Sequence, residues 1–424
     1  MTRRVLRAVL FAPLALMIPG LRLPAQDSAN AFDAGVRAII LLTHSTATPH
    51  GGALTMGYLT QPVAGAQWRH GLLHATGMVN LEGLTLREGE LDLGAWGEGY
   101  VDRRHPHSYV HELMFGAESF QTSIGASLHA GRGFVPFGSD DPMVRPFVSY
   151  PVDHHLAQIL ERVVLVGAAR TGPVIIEGAT FNGDEPLDPS TPPVFRRFGD
   201  SWAVRGTLRG DRTPLLFGAE LSASYANVKS PEYREGHGLD QRKAHAAARF
   251  TAEGERITRY ALVEIARTTD VDRGRDLYTF DAFLTEGAVC RGGLGAAVRW
   301  ERSDRPEEER LLDLSRSARP ATDLSILGVT RWTTLSAAMS LPAMRAYDAH
   351  AAPYVEIAHI TADRTSAAFF DPRQFYGTSR MWRLSTGIRL GAGHAHGRAG
   401  RYGVASESPM STHGTHAHQA PCFS

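Results

Sequence analysis

Ala219, Leu221, Ala223 and Tyr225 alternate with Glu220, Ser222 and Ser224, and Phe217 and Gly218 extend the same two-residue rhythm backwards. It recurs with Trp202, Val204, Gly206 and Leu208 against Arg205, Thr207 and Arg209, and with Leu294, Ala296, Val298 and Trp300 against Gly295, Arg299 and Glu301. A last copy sets Trp382, Leu384, Thr386, Ile388 and Leu390 against Arg383, Ser385, Gly387 and Arg389. Period two means strands with one face in an apolar phase and the other in water. A soluble sandwich shares that pattern, but two details favour lipid. Aromatics end the apolar faces, and Phe217 and Tyr225 stand about 26 Å apart along a strand, near the spacing of two interfacial aromatic girdles on a tilted barrel. The opposite faces carry full charges in mid-strand, which suits an inward face.

The connections alternate long and short, as in a transmembrane up-and-down barrel with long loops outside and short turns in the periplasm. Strands are expected near 53–62, 67–80, 90–101, 109–117, 120–132, 163–170, 173–183, 202–209, 215–225, 244–252, 257–269, 277–290, 294–303, 323–337, 350–361 and 379–391. The predicted fold is therefore an all-β antiparallel barrel of about 16 strands, between 14 and 18. One segment departs from the pattern: Phe32, Val36, Ile39, Ile40 and Thr43 fall at helical spacing, which predicts a short helix within 27–52 ahead of a barrel at 53–392. No repeat of propeller or solenoid period is present.

The chain begins with Arg3, Arg4 and Arg7, then an apolar run from Val9 to Ile18 too short to span a bilayer, then small residues around Ala25. That is the pattern of a cleaved export signal over 1–26. Among 424 residues there are 44 basic and 44 acidic side chains, and the leader holds four of the arginines and no acid. The exported product is mildly acidic, with no field that argues for nucleic acid. Lys229 and Lys243 are the only lysines, so the basic charge is almost all guanidinium. Cys290 and Cys422 are the only cysteines, too few for a disulfide framework. The segment 393–424, with His394, His396, His413, His416 and His418 among Gly, Ala and Ser, has the composition of a disordered tail.

Candidate chemistry lies in the first half. Asp102-Arg103-Arg104-His105-Pro106-His107 forms one connection, followed by His111 and Glu112, and the long connection after Phe134-Val135-Pro136-Phe137-Gly138 holds Asp140, Asp141 and Asp153-His154-His155 up to Glu161. Asp153 is placed to cap a short helix with Leu156, Ile159 and Leu160 on one face. Counting strands puts the His105, His154 and Asp184-Glu185-Pro186 loops on the same rim. Imidazoles are the commonest ligands of transition metals, so His105, His107, His154 and His155 are candidate metal contacts, against the plainer alternative of solvated loop histidines.

The stretches Asp102 to Glu112, His154-His155 and Glu177-Gly178-Ala179-Thr180-Phe181-Asn182-Gly183-Asp184-Glu185-Pro186 resemble a family of bacterial outer-membrane barrels. That family has an Asp-Arg-x-His-Pro-His loop, a His-His segment and a Glu-Gly-x-x-Phe-x-Gly-x-Glu-Pro strand end. The resemblance covers roughly 100–190 and implies a role beside metal handling, with Ser108 standing where the family usually has an acid. Phe134 to Gly138 is similar to a strand-end motif of anion-selective, phosphate-selective porins.

The expected function is an outer-membrane porin-like channel for passive diffusion of small hydrophilic solutes or ions, with Arg205, Arg209, Glu220, Arg299, Arg383 and Arg389 facing the pore. The alternative is a barrel that binds or conducts a transition metal through the rim histidines. A hydrolase is a weaker third reading, because no nucleophile-elbow motif is present, and no enzyme is expected. Expected partners are outer-membrane lipids, the barrel assembly machinery, the permeating solutes and further copies in a homo-oligomer, with no cofactor beyond a transition-metal ion.

Overall fold

Sixteen antiparallel strands close on themselves in the computed structural model. They are β1 (Ala31–Ser45), β2 (Leu54–His70), β3 (Leu73–Asn80), β4 (Val110–Phe120), β5 (Ile124–Gly133), β6 (Arg162–Thr171), β7 (Val174–Phe181), β8 (Ser201–Arg209), β9 (Ala219–Val228), β10 (Asp240–Glu253), β11 (Ile257–Asp272), β12 (Arg275–Arg291), β13 (Leu294–Glu308), β14 (Ile326–Ser340), β15 (Ala349–Arg364) and β16 (Arg380–Gly393). Each pairs with its neighbours in sequence, and β1 closes the ring on β16 with Ala38 opposite Leu390. A three-residue strand, Met344–Ala346, adds only a hairpin against β15. The structure describes residues 31–424 except 48–51, 87–89, 92–100, 103–106, 121–123, 140, 153, 187–188, 211–217, 255–256, 309–325, 366–370, 394–397, 407–421 and 423–424. The expected leader, Asp153, His105 and the five tail histidines lie outside the described residues, as does Phe217.

The alternation read from the sequence is the alternation of the wall. Trp202, Val204, Leu221, Val298, Trp300, Trp382 and Leu384 face outward and exposed, while Arg205, Arg299, Arg383 and Arg389 face inward and are buried. An outer surface this apolar over so many strands requires a nonaqueous phase. No helix among the described residues is long and apolar enough to cross a membrane.

Two elements differ from expectation, and the differences cancel in the count. Residues 32–43 are not a helix but part of β1, with Phe32, Val36, Ile40 and Leu42 outward and Ile39 and Leu41 inward. The inward neighbours of Ile39 and Leu41 are Phe147 and Val148, not water, so both faces are apolar over 39–42 and the period-two contrast disappears there. Residues 90–101 do not supply a barrel strand; their described ends pair as Glu90–Leu91 with Val101–Asp102 in a separate two-stranded ribbon.

The long connections, including 81–109, 134–161 and 182–200, lie at one rim, here the loop rim, and the short ones such as 71–72 and 172–173 lie at the other, the turn rim. The exception is 273–274, a two-residue hairpin on the loop side. Both the start of β1 and the end of β16 are at the turn rim.

Two segments fill the lumen. The insert 134–161 descends from the loop rim and packs Phe147 and Val148 on Ile39, Ala288, Ala297 and Tyr354, Phe137 on Ala203 and Ala226, and Leu156 on Ala266 and Phe280. The expected helix inside it is a single turn, His154–Ala157. The second segment departs from the expectation of a disordered tail over 393–424 in its described part: residues 399–405 fold back into the lumen, where Val404 and Ala405 pack on Ala168 and Ile175. Cys422 is disulfide-bonded to Cys290 near the turn-rim end of β12; one bond is not a framework, but it ties the far end of the tail to the wall.

Candidate functional site

Many of the inward charges hold the two inserted segments, while others, such as Arg69–Glu118 and Arg305–Glu307, pair within the wall. Glu177 on β7 and Arg205 on β8 face each other across the sheet, as their register requires, and join in a two-pronged ion pair at 2.6 and 2.7 Å. Arg205 also donates to the carbonyl of Gly138 in the insert at 3.4 Å and to that of Gly400 in the tail at 2.9 Å. One guanidinium thus ties wall, insert and tail together, a use that its rigid fork of donors permits and an ammonium would not. Next to it, Arg401 of the tail reaches Thr207 at 3.0 Å and Glu220 at 3.3 Å, and Arg398 grips Glu220 through both oxygens. The Tyr402 hydroxyl accepts the Phe134 N–H at 2.9 Å, and its ring stacks on His129.

Further along the insert the same logic repeats with the roles reversed. Arg145, from the insert, donates to Glu264 of β11 at 2.7 Å, with Ser139 donating to the same carboxylate at 2.6 Å. Arg299 pairs with Glu286 and donates to the Ser149 carbonyl; Arg389 donates to the Pro146 carbonyl at 2.5 Å; Arg383 pairs with Glu356, which accepts the Val148 N–H. The Val152 N–H donates to Glu301 at 2.8 Å. Buried charges are tolerated only when paired and hydrogen-bonded, and here wall and insert supply each other's partners. Of the six residues expected to face the pore, Arg205, Arg299, Arg383 and Arg389 are thus inward but covered. Glu220 is half-buried under Arg398 and Arg401, and Arg209 is half-buried at the inward parity of the β8 end.

A second cluster sits at the loop rim, where the insert rejoins the wall. Glu161, the last residue of the insert, accepts the Nδ1–H groups of His107 at 3.2 Å and His111 at 2.5 Å, and the Ser108 N–H at 3.0 Å to each oxygen. His111 heads β4, so its position follows from the wall, whereas His107 precedes the strand and Glu161 immediately precedes β6. Glu161 holds a φ of 56°, a left-handed backbone uncommon for a residue with a side chain. Glu82 lies 3.9 Å from His107 Nε2 and is itself fixed by the N–H of Gln61 and the side chains of Thr60 and Asn80. Burial opposes charge on His107, but its hydrogen bond to Glu161 and the nearby Glu82, Glu161 and Asp141 charges outweigh that and raise its pKa to about 10. For Glu161, burial works toward protonation, and the two histidines overcome it and hold the carboxyl well below its usual range.

Of the four expected metal contacts, His107 is in this cluster and His154 is beside it, its ring 6.3 Å from that of His107 and stacked on Tyr150. His155 belongs by its backbone to the one-turn helix, and His105 lies outside the described residues. The structure therefore brings together two of the four. It adds His111, Glu161 and Glu82, which the motif reading had not placed in the site. His111 is four residues after His107, a short separation legible in hindsight; Glu161 is fifty further on, and only the path of the insert brings it near.

The fold resembles three solved barrels at low identity. The anion-selective porin from Comamonas acidovorans is 9% identical, with 86% of this chain and 100% of that one covered and a TM-score of 0.48. In-vitro folded OmpT, an outer-membrane protein of Vibrio cholerae, is 9% identical over 86% of this chain and 100% of that one, with a TM-score of 0.47. OccK2 (OpdF) of Pseudomonas aeruginosa, solved with glucuronate, is 10% identical over 86% and 97%, with a TM-score of 0.40. No family model and no curated protein matches the chain.

Proposed function

We propose that this chain is an outer-membrane channel of porin size whose lumen is narrowed by its own insert and tail, passing small polar solutes or ions through a restricted path. The observation that carries this reading is Arg205, which joins the wall to Gly138 of the insert and Gly400 of the tail in one hydrogen-bonded unit. A 16-stranded barrel has room for an aqueous channel, and an apolar outer belt suits the outer membrane, as does the expected export signal. The inward arginines are engaged with carboxylates and main-chain carbonyls, so the account does not extend to a basic ladder selecting phosphate or other anions. Passive diffusion remains the mode, with the inserts setting the size limit.

The test is solute uptake by liposomes containing the purified full-length chain. The reading predicts slow entry of ions and the smallest sugars and exclusion of larger ones, with faster entry when Arg205 is replaced by Ala. Rapid entry of large sugars into liposomes with the unmodified chain would contradict the narrowed lumen. No entry of any solute with either protein would contradict the channel.

A further inference from the structure

We propose that His107, His111 and Glu161 form a binding site for a divalent transition-metal ion of the zinc type, and that the ion clasps the end of the lumen insert to the wall. The inference is independent of whether the barrel conducts.

Each of the three residues offers a ligand atom, and those atoms lie within 4.8 Å of one another. A tetrahedral zinc ion with bonds near 2.0–2.1 Å needs its ligands about 3.3 Å apart, so the site must adjust by up to about 1.5 Å. Both histidines already point Nδ1 at one carboxylate oxygen, so an ion bound there replaces two hydrogen-bonding protons: a charged ring releases its Nδ1 proton to solvent, a neutral ring shifts it to Nε2, and in either case the freed Nδ1 lone pair binds the ion. Two imidazoles and a carboxylate match borderline divalent ions rather than calcium or magnesium, which prefer all-oxygen shells.

The cluster is also closed to solvent: His107, His111 and Glu161 are each less than a tenth exposed, and both rings aim Nδ1 at the same carboxylate oxygen, so the donor set is already gathered out of water. Glu161 is also the hinge at which the insert ends and β6 begins, so a metal there joins the 107–111 segment to the insert's exit. His154 stands beside the cluster, its ring 6.3 Å from that of His107, and is not one of the three ligands.

The test is cobalt and zinc titration of the purified full-length chain after chelator treatment, followed by X-ray absorption spectroscopy on the zinc-loaded protein. The site predicts one tightly bound ion per chain, a tetrahedral cobalt spectrum, and a first shell of two imidazoles and a carboxylate. Glu161→Gln, which keeps shape and hydrogen-bonding capacity, is expected to weaken binding at least about tenfold, as even changes one shell further out do. A chain with His394, His396, His413, His416 and His418 all changed to Asn is expected to keep the site. Stoichiometric binding lost in the tail variant but unchanged in Glu161→Gln would overturn the proposal. So would an all-imidazole first shell, or no stoichiometric ion in the unmodified chain, readouts that need no variant to fold.

Discussion

The insert 134–161 and the tail segment 398–406 occupy the same lumen, but they are held in different ways. The insert is fixed at both ends by the strands it connects, packs apolar side chains against opposite sides of the wall, and supplies Arg145 to a wall carboxylate. The tail is fixed by β16 at one end and by the Cys290–Cys422 bond at the other, and its grip is concentrated in Arg398, Arg401 and Tyr402. Two glycines show the same contrast. A Cβ on Gly138, which sits at φ +83°, would meet the Ala157 carbonyl oxygen at 1.8 Å, so the insert closes on itself. A Cβ on Gly400, at φ +76°, would meet the Phe134 side chain at 2.8 Å, so the tail closes on the insert. The insert is part of the barrel's core; the tail is a stopper seated on that core.

Replacing Arg205 by Ala should break the comparison most severely, because it cuts the tie shared by both segments and leaves Glu177 in the interior with, among the described residues, the 3.5 Å contact from Arg401. Removing one partner of a buried pair costs about 3–5 kcal/mol, so a clear fall in the urea midpoint of the detergent-solubilised barrel is expected, together with higher conductance. An unchanged midpoint would deny that Arg205 joins the segments. Gly138→Ala should follow, at about 1–3 kcal/mol, since the left-handed backbone is strained with a side chain and the added Cβ runs into the Ala157 carbonyl, and its effect should be centred on the insert. Protease cleavage appearing within 134–161 but not in the tail would bear that out.

Arg401→Ala should act on the tail alone. Glu220 keeps Arg398 and Glu177 keeps Arg205, so the urea midpoint should move less than in either previous variant while the tail becomes open to protease. Equal destabilisation by Arg401→Ala and Arg205→Ala would erase the distinction between core and stopper. The smallest effect concerns the rim. In metal-free protein His107 should stay protonated to about pH 10, so its contribution to stability is full below its ordinary pKa of 6.5 and is lost as pH rises through about 10. Glu161 contributes fully above 4.5 and loses its contribution only in strong acid. An NMR titration placing His107 near 6.5 would contradict the ion pair with Glu161.

The wall was legible in the sequence because lipid outside and polar surroundings inside impose period two, and Trp202 to Arg209 and Trp382 to Leu390 obey it residue by residue. The pattern failed at β1, where Ile39 and Leu41 face Phe147 and Val148 and the interior is itself apolar. What fills a barrel leaves no periodic mark. Composition suggested that 393–424 cannot pack, yet Arg398, Arg401 and Tyr402 help seat part of it, against Glu220, Glu177 and His129 of the wall, together with Val404 and Ala405. Two cysteines in a chain expected to be exported were the available hint that the tail returns to the wall. The rim cluster was half visible: His107 stood out by its motif, but Glu161 and Glu82 reach it only through the fold.

Single-channel conductance of the full-length chain in planar bilayers tests the central claim most directly, recorded first oxidised and then after reduction of Cys290–Cys422 in the Arg401→Ala background. The account predicts a small conductance for the unmodified chain that rises once the tail is released and stays below that of an empty 16-stranded pore, because the insert remains. A large conductance from the unmodified chain, unaltered by reduction or by Arg401→Ala, would contradict it.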